Sequence, residues 1–426
     1  MKTLENLVVI HLSATAVYVV IGQVKASDDI RILGVGEVKN EDFQYGSIKH
    51  WDRLKSAIRQ AIIEAEEMAN CRVHSVWLTL STPELLSKNS YGSVDVDSGT
   101  VETRHIVQAL STAKDKDMPP SHYLMHHCQQ GIFVGEQEEM VDDAIDMLAN
   151  KLTVMYHLMM MPVASRQNIQ KLIQACDVSI DHILFDAVSS AEYALMPEER
   201  EQGVCFIDIG ASTTSVCVYR ENRLVLTYCV SEGGNKATMD ISADLGISMI
   251  EAEALKKRHG TVDVTSIDAS QFVTVPRIGM TDEITVNVLQ LAQIIEARYI
   301  DILRAVFQEL SDAGLMDFVP RGVVLAGGGS QIKGMIPFAK RFLGMPVYLT
   351  NANKAITAYN GFDDEQKFSY LSSRVQDRVL QTAFGALLYS QSEQFRHSEK
   401  SSPEALKVSR MSKMKHGLQN ILQRLL

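Results

Sequence analysis

The sequence predicts an α/β protein built from two related halves around a cleft, and three observations point there. Residues 10–20 read IHLSATAVYVV and residues 206–218 read FIDIGASTTSVCV, so an apolar strand, a small hydroxyl-rich turn and a second apolar strand occur twice. Each half continues with helices of amphipathic spacing and one more buried strand, the pattern of a duplicated domain whose ligand sits between the copies. Residues 405–426 then change character, being cationic and periodic in a chain whose net charge is −11.

Taken in order, strands are expected at about 7–12, 16–24 and 31–38, followed by a helix over 51–69. There Leu54, Ala57, Ile58, Ala61, Ile62, Ala65 and Met68 recur at helical spacing. VHSVWLTLS then reads as a strand. Between 82 and 162 the pattern differs: a polar strand-like stretch SKNSYGSVDVDSG, a helix over 101–114, the polar break KDKDMPPS and strands at 122–134 and 152–161. This reads as a small inserted α+β lobe. LMMM at 158–161 belongs to a core strand, where methionine fills gaps. The second half repeats the first, with strands at 204–209, 215–220 and 223–230, helices at 235–245 and 290–311, and a buried strand at 323–328. A helix over 375–390 precedes the polar, serine-rich stretch SQSEQFRHSEKSSPE, read as a flexible linker over 391–404.

In the terminal stretch, Met411, Met414, Leu418, Ile421, Leu422 and Leu425 fall on one helical stripe, with Lys407, Arg410, Lys413 and Lys415 mostly outside it and no acid present. Such a helix lies in the headgroup layer of an anionic membrane, where apolar insertion and Lys/Arg attraction add. The acidic balance of the whole chain excludes a broad nucleic-acid face. No apolar run reaches membrane-spanning length. Six cysteines without a CxxC pair read as free thiols of a reducing cytoplasm. His122, His126, His127 and Cys128 crowd one strand, but neighbours on a strand point to opposite faces and do not share an ion. Glu138, Glu139, Asp142, Asp143 and Asp146 read as a solvated acidic face.

The repeated turn carries the chemistry. A strand ending in Asp208, then Gly210, Ala211, Ser212 and Thr213, lets backbone N–H groups and hydroxyls approach phosphate oxygens while the acid holds a hydrated Mg²⁺. Gly233, Gly234 and Asn235 stand at the start of a helix whose free N–H groups suit an anion. Glu253 and Lys256 lie one helical turn apart, in reach of a sugar hydroxyl or phosphate. Gly327, Gly328, Gly329 and Ser330 form a strand-to-helix turn of the same kind. The joint occurrence of these stretches in this order is more specific than any one of them.

The combination resembles the actin/Hsp70/sugar-kinase ATPases, and IDIGASTTSVCVY, GGNKATMDISADLGIS, AEALKKRHG, IIEARYIDIL and VVLAGGGSQIKGM resemble the bacterial FtsA cell division family. The likeness runs along nearly the whole chain, strongest from about 163 to 390 and weaker in the inserted lobe. It implies an actin/Hsp70-like pair of ribonuclease H-like domains around a nucleotide cleft. Residues 1–81 and 163–195 would form the first subdomain, 82–162 the inserted lobe, 196–240 and 306–375 the second subdomain, and 241–305 its lobe. Residues 376–390 would return to the first domain ahead of the linker and the membrane helix. It implies ATP and Mg²⁺ as ligands, with Asp208 the catalytic and Mg²⁺-holding acid, Ser13, Ala14 and Thr15 the first phosphate loop, and Ala211, Ser212 and Thr213 in the second. It also implies polymerisation with copies of itself, attachment at the cytoplasmic face of the inner membrane at the septum, and recruitment of later division proteins. The C-terminal tail of FtsZ would bind on the lobe over 240–305, around Arg298.

The chain departs from the family at its first turn. FtsA proteins usually carry an acid, a Gly and a Ser/Thr followed by Lys there; this chain has His11, Ser13, Ala14, Thr15 and Ala16. ATP binding is expected, with hydrolysis weak or absent. Asp186, at the strand end in FDAVSSAEY, is a candidate substitute acid. Two alternatives share the cleft: a sugar-kinase-like phosphotransferase, and an actin-like adaptor of a pilus or secretion machine. The basic amphipathic tail argues against both.

Overall fold

The computed structural model describes residues 6–26, 29–136, 139–276, 283–350, 355–361 and 364–402. Its first domain opens with an antiparallel meander, β1 (Asn6–Leu12), β2 (Ala16–Ala26) and β3 (Asp29–Lys39). A short hairpin, β4 (Phe43–Gln44) and β5 (Ser47–Ile48), leads to α1 (Trp51–Ala69), and β6 (Ser75–Leu80) pairs parallel to β1. The helix buries Leu54, Ala57, Ile58, Ala61, Ile62 and Ala65, the stripe that its spacing predicts. Small residues on both sides set a close approach: a side-chain carbon at Gly36 would collide with the Ala61 carbonyl, and one at Gly34 with that of Ala65. Asn70, at φ 50°, ends the helix with its N–H on the Glu66 carbonyl.

The inserted lobe comprises β7 (Leu86–Asp95), α2 (Thr103–Asp117), β8 (His122–Val134) and β9 (Lys151–Pro162), with sheet order β7-β9-β8. Strand alternation divides LMMM between two cores. Leu158 and Met160 join the lobe's own cluster, Met159 and Met161 the first domain's. The polar break expected at KDKDMPPS begins later than predicted, because α2 runs on to Asp117, whose carboxylate takes the Lys88 Nζ at 2.5 Å. After α3 (Val163–Gln174), β10 (Ser179–Phe185) completes the order β10-β6-β1-β2-β3, and α4 (Asp186–Ala194) starts directly at its end.

After the short α5 (Pro197–Gln202), the second domain repeats the plan. β11 (Val204–Ile209), β12 (Thr214–Arg220) and β13 (Arg223–Val230) form the meander; α6 (Gly234–Leu245) and α7 (Met249–His259) follow. A hairpin of β14 (Phe272–Pro276) and β15 (Glu283–Asn287) leads into the long α8 (Val288–Asp312). β16 (Val323–Ala326) pairs parallel to β11 as β6 does to β1, and α9 (Met335–Leu343) and β17 (Val347–Leu349) complete the order β13-β12-β11-β16-β17. β16 stops at Ala326, two residues short of the expected end, because Gly327 turns the chain at φ 79°. β18 (Ile356–Ala358) returns to the edge of the first sheet beside β3. α10 (Glu365–Arg374) and a 3-10 turn at Arg378–Leu380 follow. The returning helix, α11 (Gln381–Tyr389), is fully buried and starts later than the 375–390 expectation.

The expectation of a flexible linker over 391–404 is corrected over most of its length: Glu393–Ser401 form a helix, α12. Ser392 caps it by accepting the Phe395 N–H at 3.1 Å. Phe395 packs against Trp77 and His182, ring centroids 4.7 and 5.2 Å away, and Lys400 reaches Asp143 at 2.6 Å. A polar composition hid one aromatic anchor, and the acidic run read as solvated supplies that ion pair. The six apolar positions from Met411 to Leu425 lie outside the described residues. Among the described residues no helix is long and apolar enough to cross a membrane.

Candidate functional site

The two meanders face each other across a cavity of about 610 Å³. Most of the residues singled out in the sequence meet there: Ser13, Ala14 and Thr15 from the first turn, Asp208, Gly210, Ala211 and Thr213 from the second. Gly234 and Asn235 of α6, Glu253 and Lys256 of α7, and Gly327, Gly328 and Gly329 also line it. Ser212, Gly233 and Ser330 do not. Ser212 Oγ accepts the Tyr45 N–H at 3.3 Å and so joins the two domains; Ser330 Oγ donates to the Gly327 carbonyl at 2.7 Å and braces the glycine turn. Gly233 abuts the Gly210 and Ala211 carbonyls, where a side chain has no room.

The two turns are not chemically equivalent. Both close by the same backbone bond, Gly210 N–H to Thr213 O at 2.9 Å and Ser13 N–H to Ala16 O at 3.1 Å. In the first, Ser13 Oγ gathers the Thr15 and Ala16 N–H groups at 3.3 and 3.1 Å. His11 stands where the second turn has Asp208. Its Nδ1 lies 3.0 Å from Thr79 Oγ1, and burial lowers its pKa to about 4, so the ring is neutral at pH 7. The first turn therefore brings no charge to the cavity. The expected free N–H groups at the start of α6 are also partly spent, since Gly234 and Asn235 donate to the Gly210 and Ala211 carbonyls at 2.9 and 2.8 Å.

The charge sits instead on two buried carboxylates. Asp208, one residue from the end of β11, accepts Ser190 Oγ at 3.1 Å; Asp186 opens α4 and accepts the Ala187 N–H at 2.8 Å. Burial, and then Asp208's charge, push Asp186 up; burial pushes Asp208 up as well. A pair in this state favours either a proton or a cation between its members. Gly327 makes the arrangement possible, because a side chain there would strike Asp208 Oδ1. On the far wall Lys256 Nζ lies 2.6 Å from Glu253 and donates to the Gly234 carbonyl and Thr238 Oγ1 at 2.9 and 2.7 Å. Lys257 reaches the same carboxylate at 3.1 Å.

Sequence reasoning missed several lining residues. Tyr299 donates to the Gly329 carbonyl at 2.6 Å, and its only trace in the sequence is an aromatic on a helix stripe. Lys333, Arg378 and Gln381 also line the cavity; nothing local marks them, and the last two arrive on the returning chain. Arg298 is not part of this site. It lies on α8 and is gripped by Asp240 at 2.6 and 3.1 Å and by Glu232 at 3.3 Å. The histidines of β8 serve packing, His126 Nε2 lying 2.6 Å from the Tyr389 hydroxyl.

The family model described as cell division protein FtsA matches residues 205–374, and that of the SHS2 domain inserted in FtsA matches 83–160. A model for the type IV pilus assembly protein PilM matches 139–267. The cell division protein FtsA of Neisseria meningitidis serogroup B is 30% identical over 380 residues, 89% of this chain and 88% of that one. Those of Pseudomonas aeruginosa and Escherichia coli K12 are each 28% identical, covering 81% and 80% of this chain and 82% and 84% of theirs. Among solved structures, a PilM–PilN type IV pilus biogenesis complex matches with TM-score 0.62 at 14% identity, over 91% of this chain and 99% of that one. MreB5 of Spiroplasma citri bound to AMPPNP matches with TM-score 0.51 at 11% identity, again over 91% and 99%. These last two describe the fold alone, an actin-like one. With 30% identity across nearly nine tenths of both chains, and both the FtsA body and its inserted SHS2 domain recognised, this chain belongs to the FtsA family of cell division proteins.

Proposed function

We propose that this chain is an ATP-binding tether of the division ring. It would polymerise on the cytoplasmic face of the inner membrane, hold the C-terminal tail of FtsZ and recruit later division proteins. The observation that carries the nucleotide reading is the pair of buried acids beside a glycine-lined cavity between duplicated domains. The pair fits the expected cation: two carboxylates whose ionisation is suppressed regain it beside Mg²⁺, which keeps several waters and shares oxygens with phosphate. Asp208 and Asp186 would hold it through water. Gly210, Ala211 and Thr213 would cradle phosphates, and the Glu253–Lys256 pair would face the ribose. Bound ATP would favour the state that binds it better, so that nucleotide acts as an assembly ligand. With His11 neutral and no cation in the first turn, turnover is slow or absent.

The membrane reading rests on the stripe from Met411 to Leu425. The partner surface is the face of α8 around Arg298, whose guanidinium is already shared with Asp240 and Glu232. The test is co-sedimentation of the full chain with anionic vesicles and a labelled FtsZ tail peptide, with and without Mg·ATP. The chain is expected to carry peptide to the vesicles; removal of 405–426 abolishes sedimentation, Arg298→Glu releases peptide only, and Asp208→Ala removes the response to nucleotide. Sedimentation unchanged by the truncation overturns the tether. Equal peptide capture by Arg298→Glu moves the partner site elsewhere.

A further inference from the structure

Side-chain cations strengthen the hold on a phosphate-bearing ligand, and the obvious ones in this cleft are already engaged. The first turn has none, Lys256 and Lys257 share the single carboxylate of Glu253, and Asp186 and Asp208 bring no positive charge. Two cationic side chains that line the cavity remain: Arg378 and Lys333. Both are exposed to solvent, and among the described residues neither side chain makes a hydrogen bond, ion pair or ring contact. They stand on different parts of the molecule. Arg378 begins the 3-10 turn that feeds α11 into the first domain, held in place by Asp377 accepting the Val379 N–H at 3.1 Å. Lys333 follows the glycine turn of the second domain, its backbone carbonyl fixed by Val262 N–H at 3.0 Å and Thr261 Oγ1 at 3.0 Å. The backbones are fixed and the charged ends are free.

We propose that Arg378 and Lys333 supply the phosphate-directed cations that the first turn lacks, one from each side of the cleft, so that a polyphosphate bridges the two domains. The proposal rests on the nucleotide reading above. A guanidinium offers phosphate two parallel N–H donors, whereas an ammonium acts as a point charge. Arg378 is therefore the more exacting position, and Lys333 serves through charge alone.

The test is equilibrium binding of ATP, ADP and adenosine to the full chain with Mg²⁺, across a range of salt, for the wild type, Arg378→Ala, Arg378→Lys and Lys333→Ala. Each alanine variant is expected to lose roughly tenfold in ATP affinity, as for a hydrogen bond to a charged group. Adenosine affinity stays unchanged and the salt dependence for ATP flattens. Arg378→Lys recovers part of the loss. A loss equal for ATP and adenosine overturns the proposal, because the residue then touches base or sugar; so does an unchanged ATP affinity. A wild-type chain that binds none of the three overturns the nucleotide reading itself, whatever the variants do.

Discussion

Asp186 and Asp208 show how one residue's state follows from its surroundings. Burial, joined for Asp186 by its neighbour's charge, holds both carboxyls above the ordinary 3.8, so the folded chain retains protons that the unfolded chain releases. Stability from such groups is fully present at acid pH and is lost as pH rises from about 4 to about 7. Against the wild type, the metal-free Asp186→Asn variant is thus expected to gain melting temperature progressively across that window, while the buried histidines, whose lowered pKa values act in the opposite sense, bear on both proteins alike. The gain is largest near neutrality, and the same variant loses stabilisation by Mg·ATP. Thermal melts of both proteins against pH with and without Mg·ATP check this; a difference between them that stays flat or shrinks from pH 4 to 7 without ligand contradicts it. Asp208 was legible because a strand-end acid followed by small residues is a local pattern. Asp186 was visible only as a candidate, since its role depends on what stands opposite, and Arg378 and Gln381 were illegible because the returning chain carries them in.

At the scale of elements, periodicity located most strands and helices, and the largest misreading has a definite cause. α12 looked like a linker because nearly every residue in it is polar; its fold depends on Phe395 finding Trp77 and His182, which lie far away in sequence. A nine-residue helix docked mainly through Phe395, Ser398 and Lys400 is expected to open separately from the core. Phe395→Ala is expected to remove about 1–3 kcal/mol of local stability, as loss of a partly buried aromatic does. Amide exchange and proteolysis over 392–402 then rise sharply with the global melting temperature nearly unchanged. Protection of that segment equal to wild type shows that its capping and the Lys400–Asp143 pair hold it without the ring. The consequence is positional: α12 packs on β8 and α2 of the inserted lobe, which places Ser402 beside that lobe.

For the whole molecule, the question is how a cleft communicates with a lobe that does not line it. β13 is the outer strand of the second sheet, and the lobe covers its free edge with side chains rather than another strand. Asn89 Nδ2 donates to the Val225 carbonyl at 2.8 Å, Gln130 Nε2 to Leu224 at 2.7 Å and Ser87 Oγ to Thr227 at 2.5 Å. His157 sits between them, bonded to Asn89 Oδ1 at 2.7 Å and Thr227 Oγ1 at 2.8 Å; burial lowers its pKa to about 3, so it stays a neutral connector. Asn89 is the shared node, its amide oxygen taking both His157 and Gln130. The lobe is inserted in the first domain yet fastened to the second, so any nucleotide-driven rotation of one domain against the other must shift or strain it. Asn89→Ala removes one partner each from the buried His157 and Gln130, which keep Thr227 and Leu224, at a cost of about 1 kcal/mol confined to this contact. In the wild type, Mg·ATP is expected to slow amide exchange in β7 and β8 as well as around the cleft. In Asn89→Ala, protection around the cleft persists and that of the lobe is lost. Lobe protection that follows nucleotide equally in both proteins places the coupling elsewhere, with the Tyr45–Ser212 and Ser81–Thr213 contacts, at 3.3 and 2.9 Å, the next to cut.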